Sequence, residues 1–439
     1  MKNSKLLTKV PGKKSKLLID KWKKYEADKM GYQANIAVDH GKGALLFDVD
    51  GNRFIDYTSG VLVTNIGHCH PKLVKTVQEA VSKMLNVYEY CTEYRVNAAE
   101  ALVKNAPEHL NKCFFFSTGS EATDAAMRIM KRTSGKYEII SFYGSFHGRI
   151  QSTASAGGIL KTKKGYGPGT PGIIRVPYPY CYRCPFKTSP DKCGFLCLEF
   201  LNEVVRANSS DSIAGLIIEP YEGTAGFIFP PEGYLTELEK WVRKNNILFT
   251  LDEVQSSFGR TGYMWAMEHE RITPDIVTIG KGLGGGIPAS ALLMRDDVIG
   301  KTFQKGEMGS TFGGNPVSCA AVSAVLKIIK EEKIIENVKK IEGLFKEKLL
   351  KLLETSKYIG DVRGRGLVWG IELVEDKSTK EPGTRLVKKL IDKCAENGLL
   401  IGAVGIFGNV IRIAPPLVIN EDQALEGLDI FKKCVKELQ

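Results

Sequence analysis

Ile247-Leu248-Phe249-Thr250-Leu251-Asp252-Glu253-Val254-Gln255 and Asp275-Ile276-Val277-Thr278-Ile279-Gly280-Lys281-Gly282 are two short apolar runs that each deliver a charged side chain. Such runs fit strands covered on both faces, as in a parallel sheet wrapped by helices, and the carboxyl ends of those strands are where ligands bind. Asp252 and Lys281 therefore stand at two such ends. Working outward, Cys113–Phe116, Glu138–Phe142, Gly215–Ile218 and Ala291–Met294 read as further strands, and Glu121–Arg132 and Gly233–Asn245 as helices between them. The pattern is α/β, with a large domain over residues 65–325 that carries a Cys-rich insert at 177–200.

Beyond that core, residues 326–439 open with a Lys/Glu-rich helix (Ile329, Ile334, Ile335, Val338, Ile341, Leu344 and Leu349 at helical spacing). Gly364–Val374, a helix near Thr384–Glu396 and strand-like Val410–Ile413 complete a small α+β domain. Residues 1–64 hold a hairpin, Leu45–Val49 and Phe54–Tyr57, turned by Asp50-Gly51-Asn52.

The 439 residues, 43% hydrophobic and 25% charged, exclude a disordered or fibrous chain. No run approaches 18 apolar residues and the first residues lead into lysines, so neither a membrane span nor a secretory leader is expected, and the cytoplasm is the expected location. The formal charge of +11 is concentrated in residues 1–30, where ten lysines face Asp20, Glu26 and Asp28. A basic arm before a near-neutral body reads as a solvated or dimer-wrapping segment and not as a nucleic-acid contact. Among ten cysteines, Cys181, Cys184, Cys193 and Cys197 have a spacing that fits four thiolates around a metal, with paired or free thiols as the alternatives.

Lys281 admits three readings. Gly280–Gly285 matches G-x-G-x-x-G, but Pro288 breaks the helix that a dinucleotide loop needs. A surface lysine is the second. The third is a Schiff-base lysine for pyridoxal phosphate, with Asp252 as the anion opposite the pyridinium nitrogen. The surrounding motifs favour the third: Ser117-Thr118-Gly119-Ser120-Glu121 is a strand-to-helix turn suited to phosphate, Ser310-Thr311-Phe312-Gly313-Gly314 adds a hydroxyl in a glycine turn, and Phe142–Arg149 brings an aromatic ring to a strand end.

With these motifs in place, the chain resembles the class III pyridoxal-phosphate aminotransferases, the family of 4-aminobutyrate, ornithine and acetylornithine aminotransferases. The resemblance runs from Asp48-x-Asp50-Gly-Asn-x-Phe54-Ile-Asp56 and Gly67-His68-Cys69-His70-Pro71 through Asp252-Glu-Val-Gln255 and Gly280-Lys281 to Arg363-Gly-Arg-Gly366-Leu and Arg412. It implies a fold type I homodimer with shared active sites and a mainly parallel seven-stranded sheet. It also implies a role for each matching residue. Lys281 would bind the cofactor and carry the proton, Asp252 would pair with the ring nitrogen, Gln255 would reach the 3-oxygen and Phe146 would stack on the ring. Gly119, Ser120 and the neighbouring subunit's Thr311 would hold the phosphate, with His147 and Glu219 beside the ring. Val61, Arg149 and Arg412 would bind substrate, the two arginines suiting carboxylates of an amino donor and of 2-oxoglutarate.

One departure stands out. Where typical ω-aminotransferases carry Gln-Gly-Glu, this chain has Glu222-Gly223-Thr224, so the glutamate that neutralises the α-carboxylate arginine is replaced by Thr224. A β- or ω-amino donor, such as 4-aminobutyrate or an aminoacyl thioester, is expected with 2-oxoglutarate as acceptor. Amino-acid racemisation on the same fold is the alternative.

Overall fold

The computed structural model describes residues 2–29, 31–300 and 303–438. Its chain divides into two compact units, Lys72–Phe258 with Tyr263–Ile328, and Met1–Pro71 with Gly259–Gly262 and Ile329–Gln439. The sequence places the breaks after residues 64 and 325; the contacts place them after Pro71 and Ile328, and assign Gly259–Gly262 to the unit of the termini.

The larger unit is built on seven strands: β1 (Lys112–Phe116), β2 (Glu138–Phe142), β3 (Ile173–Val176), β4 (Ile213–Ile218), β5 (Leu248–Asp252), β6 (Ile276–Ile279) and β7 (Ser290–Met294). They are hydrogen-bonded in the order β1-β7-β6-β5-β4-β2-β3, and only β7 runs against its neighbours. The mainly parallel seven-stranded sheet of fold type I is thus present. β2, β6 and β7 are buried along their whole length, which explains their uninterrupted apolar character.

The helix Gly119–Ser134 covers one face with Ala122, Ala126, Met127, Ile129 and Met130, packed against Ile139, Ala214, Ile217, Ile276 and Leu292. Gly215 lets it approach: a Cβ there would lie 2.3 Å from Met130 Sδ. The smaller unit holds the predicted hairpin, Leu45–Asp48 against Arg53–Asp56 with Leu46 opposite Phe54. It also contains an antiparallel sheet of Ile359–Arg365, Val368–Leu373, Gly402–Val404 and Val410–Ile413.

One expectation is extended and one corrected. The basic arm is largely exposed but anchored: Lys13–Tyr25 is a helix whose start is tied to Asp50, which accepts from the Lys14 and Ser15 amides at 2.8 Å. Glu426 likewise accepts from the Asn3 and Ser4 amides. The Lys/Glu-rich helix is two helices, Pro316–Glu331 and Ile334–Thr355, separated where Lys333 adopts φ 51°, so Ile329 belongs to the first. Among the described residues no helix is long and apolar enough to cross a membrane.

Arg260 is fully buried and donates to Leu367 O, Pro415 O, Ser59 Oγ and Asn65 Oδ1 at 2.6–3.2 Å. Arg260→Ala leaves these acceptors without their donor, and we expect a loss of about 3 kcal/mol in unfolding free energy, read by denaturant titration.

Candidate active site

Five strands that run in one direction deliver the predicted residues at their carboxyl ends. β1 leads into Gly119 and Ser120, β2 into Phe146 and His147, β4 into Glu219, β5 into Asp252 and Gln255, and β6 into Lys281. Gly119, Ser120, Phe146 and His147 line a cavity of about 190 Å³. Glu219, Asp252, Gln255 and Lys281 close the same cavity, as does Thr224 from the departing motif. Sequence reasoning did not single out Val254 and Gly148, which also line it; neither carries a polar side chain that would have marked it.

The backbone around Lys281 is special. Gly280 is extended, Lys281 itself has φ 44°, and a single 3-10 turn, Lys281–Gly284, follows in place of a dinucleotide-binding helix. A non-glycine residue held left-handed costs on the order of 1 kcal/mol, so the surrounding sheet must impose this conformation.

Asp252 is buried, with Oδ1 accepting from the Val254 amide at 3.1 Å and Oδ2 2.7 Å from His147 Nδ1. Burial alone would depress the His147 pKa, but the hydrogen bond and charge of Asp252 hold it above the usual imidazole value. Glu219 receives the Phe146 and Gly223 amides at 2.7 and 3.1 Å, yet burial and then the nearby Asp252 charge push it up to about 7, against the pull of His147. Glu222 is also buried, and burial and then Glu219 raise it well above the carboxylate range. It does not line the cavity.

These atoms fit pyridoxal phosphate. His147 Nε2 and Gln255 Oε1 are buried without hydrogen-bond partners. Gly223 makes room for Gln255, since a Cβ there would meet Oε1 at 1.9 Å. At the helix Gly119–Ser134, Thr118 and Glu121 cap one another and Glu121 takes the Ser117 and Thr118 amides. The Gly119 and Ser120 amides are outside that cap and available to an anion, where the helix dipole favours negative charge.

The model of the family described as aminotransferase class-III matches residues 27–435. The 4-aminobutyrate aminotransferase of Mycobacterium leprae is 36% identical, covering 98% of this chain and 97% of its own. This chain is a class III aminotransferase. The alanine/serine racemase of Pyrococcus horikoshii is similar at 34% identity, over 100% of this chain and 94% of its own. Among solved structures, the PLP-bound form of an amine transaminase from an uncultivated Pseudomonas species superposes with a TM-score of 0.89 at 26% identity, covering 94% and 99% of the two chains. The aminotransferase uses pyridoxal phosphate as its cofactor.

Four residues expected at the aminotransferase site are not in the cavity lining. Thr311 is exposed on its glycine turn, its carbonyl accepting from Asn86 Nδ2 at 3.1 Å. Arg149 is exposed, its guanidinium 5.6 Å from the Phe146 ring centroid and its amide 3.2 Å from Ser120 Oγ. Val61 and Arg412 belong to the smaller unit. Val61 lies in a left-handed turn with φ 66° and is 41% exposed. Arg412 lies on the strand Val410–Ile413, buried, with Nε lacking a hydrogen-bond partner; burial lowers its pKa to about 10 against the opposing charge of Asp56.

The Cys-rich insert forms a 3-10 turn at Cys181–Arg183 and short helices beyond it. Cys181, Cys184, Cys193 and Cys197 are free thiols, and among the described residues no group of three or more His, Cys, Asp or Glu is disposed to hold a metal. Burial and then the neighbouring thiols raise Cys181 to about 11 and Cys197 to about 12, which keeps them protonated.

Proposed function

We propose that the enzyme moves the amino group of a β- or ω-amino acid, or of an aminoacyl compound such as a 3-aminobutyryl thioester, to 2-oxoglutarate in two ping-pong half-reactions. The chain-long similarity to 4-aminobutyrate aminotransferases supports this reading most strongly. Bound pyridoxal phosphate supplies an electron sink for the carbon that bears the amine.

The protein's own residues do the rest. Lys281 Nζ would attach the cofactor and would move the proton at the donor carbon. Asp252, oriented by His147, would pair with the cofactor's ring nitrogen. Phe146 would cover the ring and Gln255 would meet its 3-oxygen. Gly119 and Ser120 take the phosphate, and Glu219 stays as a partner of the Phe146 and Gly223 amides. Arg149 and Arg412 bind carboxylates, with Val61 shaping the substrate side.

We also propose a homodimer in which Thr311 serves the partner's phosphate, consistent with its exposure. Mixing Lys281→Ala and Thr311→Asp chains should restore part of the activity that each lacks; heterodimers without recovery would refute a shared site. The ten free cysteines fit a reducing compartment such as the cytoplasm.

Because Thr224 stands where a neutralising glutamate is expected, a donor without an α-carboxylate leaves Arg412 unpaired, and an unpaired buried charge costs several kcal/mol. Thr224→Glu is expected to raise kcat/KM for 4-aminobutyrate by roughly tenfold, about 1.4 kcal/mol of that cost. A neutral or harmful effect, with 4-aminobutyrate already the best donor, would show that the loop does not gate the donor.

The test of the whole reading is a donor panel with 2-oxoglutarate. Conversion of the cofactor to its amine form by donor alone, reversed by 2-oxoglutarate, identifies transamination. Inversion of an α-amino acid without that conversion identifies the racemase alternative, which the Pyrococcus relative keeps in view.

A further inference from the structure

Next to the cofactor cavity lies a larger one, about 430 Å³, of which the assigned chemistry uses Arg149 alone. Arg149, Lys161, Lys163 and Arg175 line it, and no carboxylate does. Lys163 Nζ and Arg175 Nε both donate to Gly157 O, at 2.6 and 3.2 Å, and Arg175 also donates to Ser155 O. Two cations thus converge on one carbonyl, and burial and then the Arg175 charge hold Lys163 below its ordinary pKa. Among the described residues none of the four has an ion-pair partner, whereas Arg132, Arg243 and Arg295 of the same unit each do. Like charges gathered in a concave wall without counter-charges raise the local concentration of anions.

The cavity is joined to the catalytic one by sequence and by contact. Phe146, His147 and Gly148 line the first and Arg149 the second. The Arg149 amide donates to Ser120 Oγ, and its guanidinium lies beside the Phe146 ring. The far wall is a glycine-rich turn, with Gly165 and Gly167 at φ 88° and 80°, and Gly169 so close to Ser155 that a Cβ would lie 2.9 Å from Oγ. Tyr166, 76% exposed, stands on the rim.

We infer that this cavity binds a phosphate or pyrophosphate group carried by the amino donor on the end remote from its amine. The inference rests on the donor class proposed above and adds a second anchoring point to it. One carboxylate satisfies Arg149 alone; a doubly charged phosphate is the anion that four clustered cations favour, held as a multivalent charge and not by one fork.

Inorganic pyrophosphate is the probe for binding to the holoenzyme, by calorimetry at low and at physiological ionic strength. Wild type should bind it, with affinity falling as salt rises. Lys161→Glu, a reversal on an exposed side chain, should weaken binding about tenfold or more, and Lys163→Gln should weaken it as well. Unchanged melting temperatures would show that both variants are folded. In transamination, 6-aminohexyl phosphate should have a KM about tenfold below that of 6-aminohexanoate, and Lys161→Glu should erase that preference while leaving 4-aminobutyrate turnover intact.

No pyrophosphate binding, or binding that both substitutions leave unchanged, overturns the site. Binding that neither competes with 6-aminohexyl phosphate nor sets its KM overturns the assignment to the donor and marks a free phosphate ligand instead. If pyrophosphate binds as expected but no ω-amine is transaminated, it is the proposed donor class that fails, and the calorimetric result for the cavity stands apart from it.

Discussion

Lys281→Ala is expected to lower turnover by roughly 10⁴-fold or more, because in the proposed mechanism this one group both attaches the cofactor and moves the proton. Cofactor should still bind through the turn at Gly119 and Ser120, Asp252 and Phe146. Borohydride should fix label on Lys281 of the wild type and on nothing in the variant, read by peptide mass spectrometry. Label on another lysine of the wild type would overturn the assignment. The effect should be chemical and not structural, since alanine meets the same left-handed strain at this position as lysine does.

Asp252→Asn should lower kcat by roughly 10³-fold with little change in cofactor content, since the shape is kept and only the charge opposite the ring is lost. A second readout separates this from simple damage. His147 owes its raised pKa to Asp252, acting against burial. In the variant only the weaker pull of Glu219 opposes burial, and the imidazole titration followed by NMR should move to lower pH. The linkage runs the same way. A raised folded pKa contributes stability that is full below the unfolded value of 6.5 and fades as pH rises through the folded one, so Asp252→Asn should lose most stability on the acidic side. An unmoved His147 titration would show that the 2.7 Å contact does not govern that group.

The sheet was legible because its strands are short, apolar and separated by helical periods; all six strands read from the sequence are present within a few residues. β3 was not read as one of them. It has only four residues, alternates half-buried and buried positions and includes Arg175, so neither length nor burial set it apart. The break at Lys333 escaped notice for a different reason. Charged residues fill helices readily, and a single left-handed residue between two such stretches leaves no compositional mark.

For the site, residues that sit at strand ends were found because topology alone brings those ends together. Val61 and Arg412 rest on family likeness, since nothing in their spacing relates them to Lys281. Thr311 was marked by its hydroxyl in a glycine turn, though its role rests on that likeness too. So does the role of Arg149, which follows Phe146-His147-Gly148. The basic surroundings that it shares with Lys161, Lys163 and Arg175 depend on a chain path that brings β3 beside β2, which local pattern does not encode.

The reversed direction of β7 has a consequence for how the proposed catalytic lysine comes into place during folding. A parallel neighbour would have required the chain to leave β6 through a crossover helix before returning. Here Gly280–Ala289 suffices, because β7 starts where β6 stops and pairs with it at once, Ala291 opposite Ile279. Closing so short a loop costs little chain entropy, and contacts between near neighbours in sequence form early. The seat of Lys281 is thus a low-contact-order element. Asp252, Phe146 and Gly119 reach it only through longer-range strand pairings, so attachment of the cofactor should report completion of the sheet and appear late in refolding, after the lysine's own turn has formed.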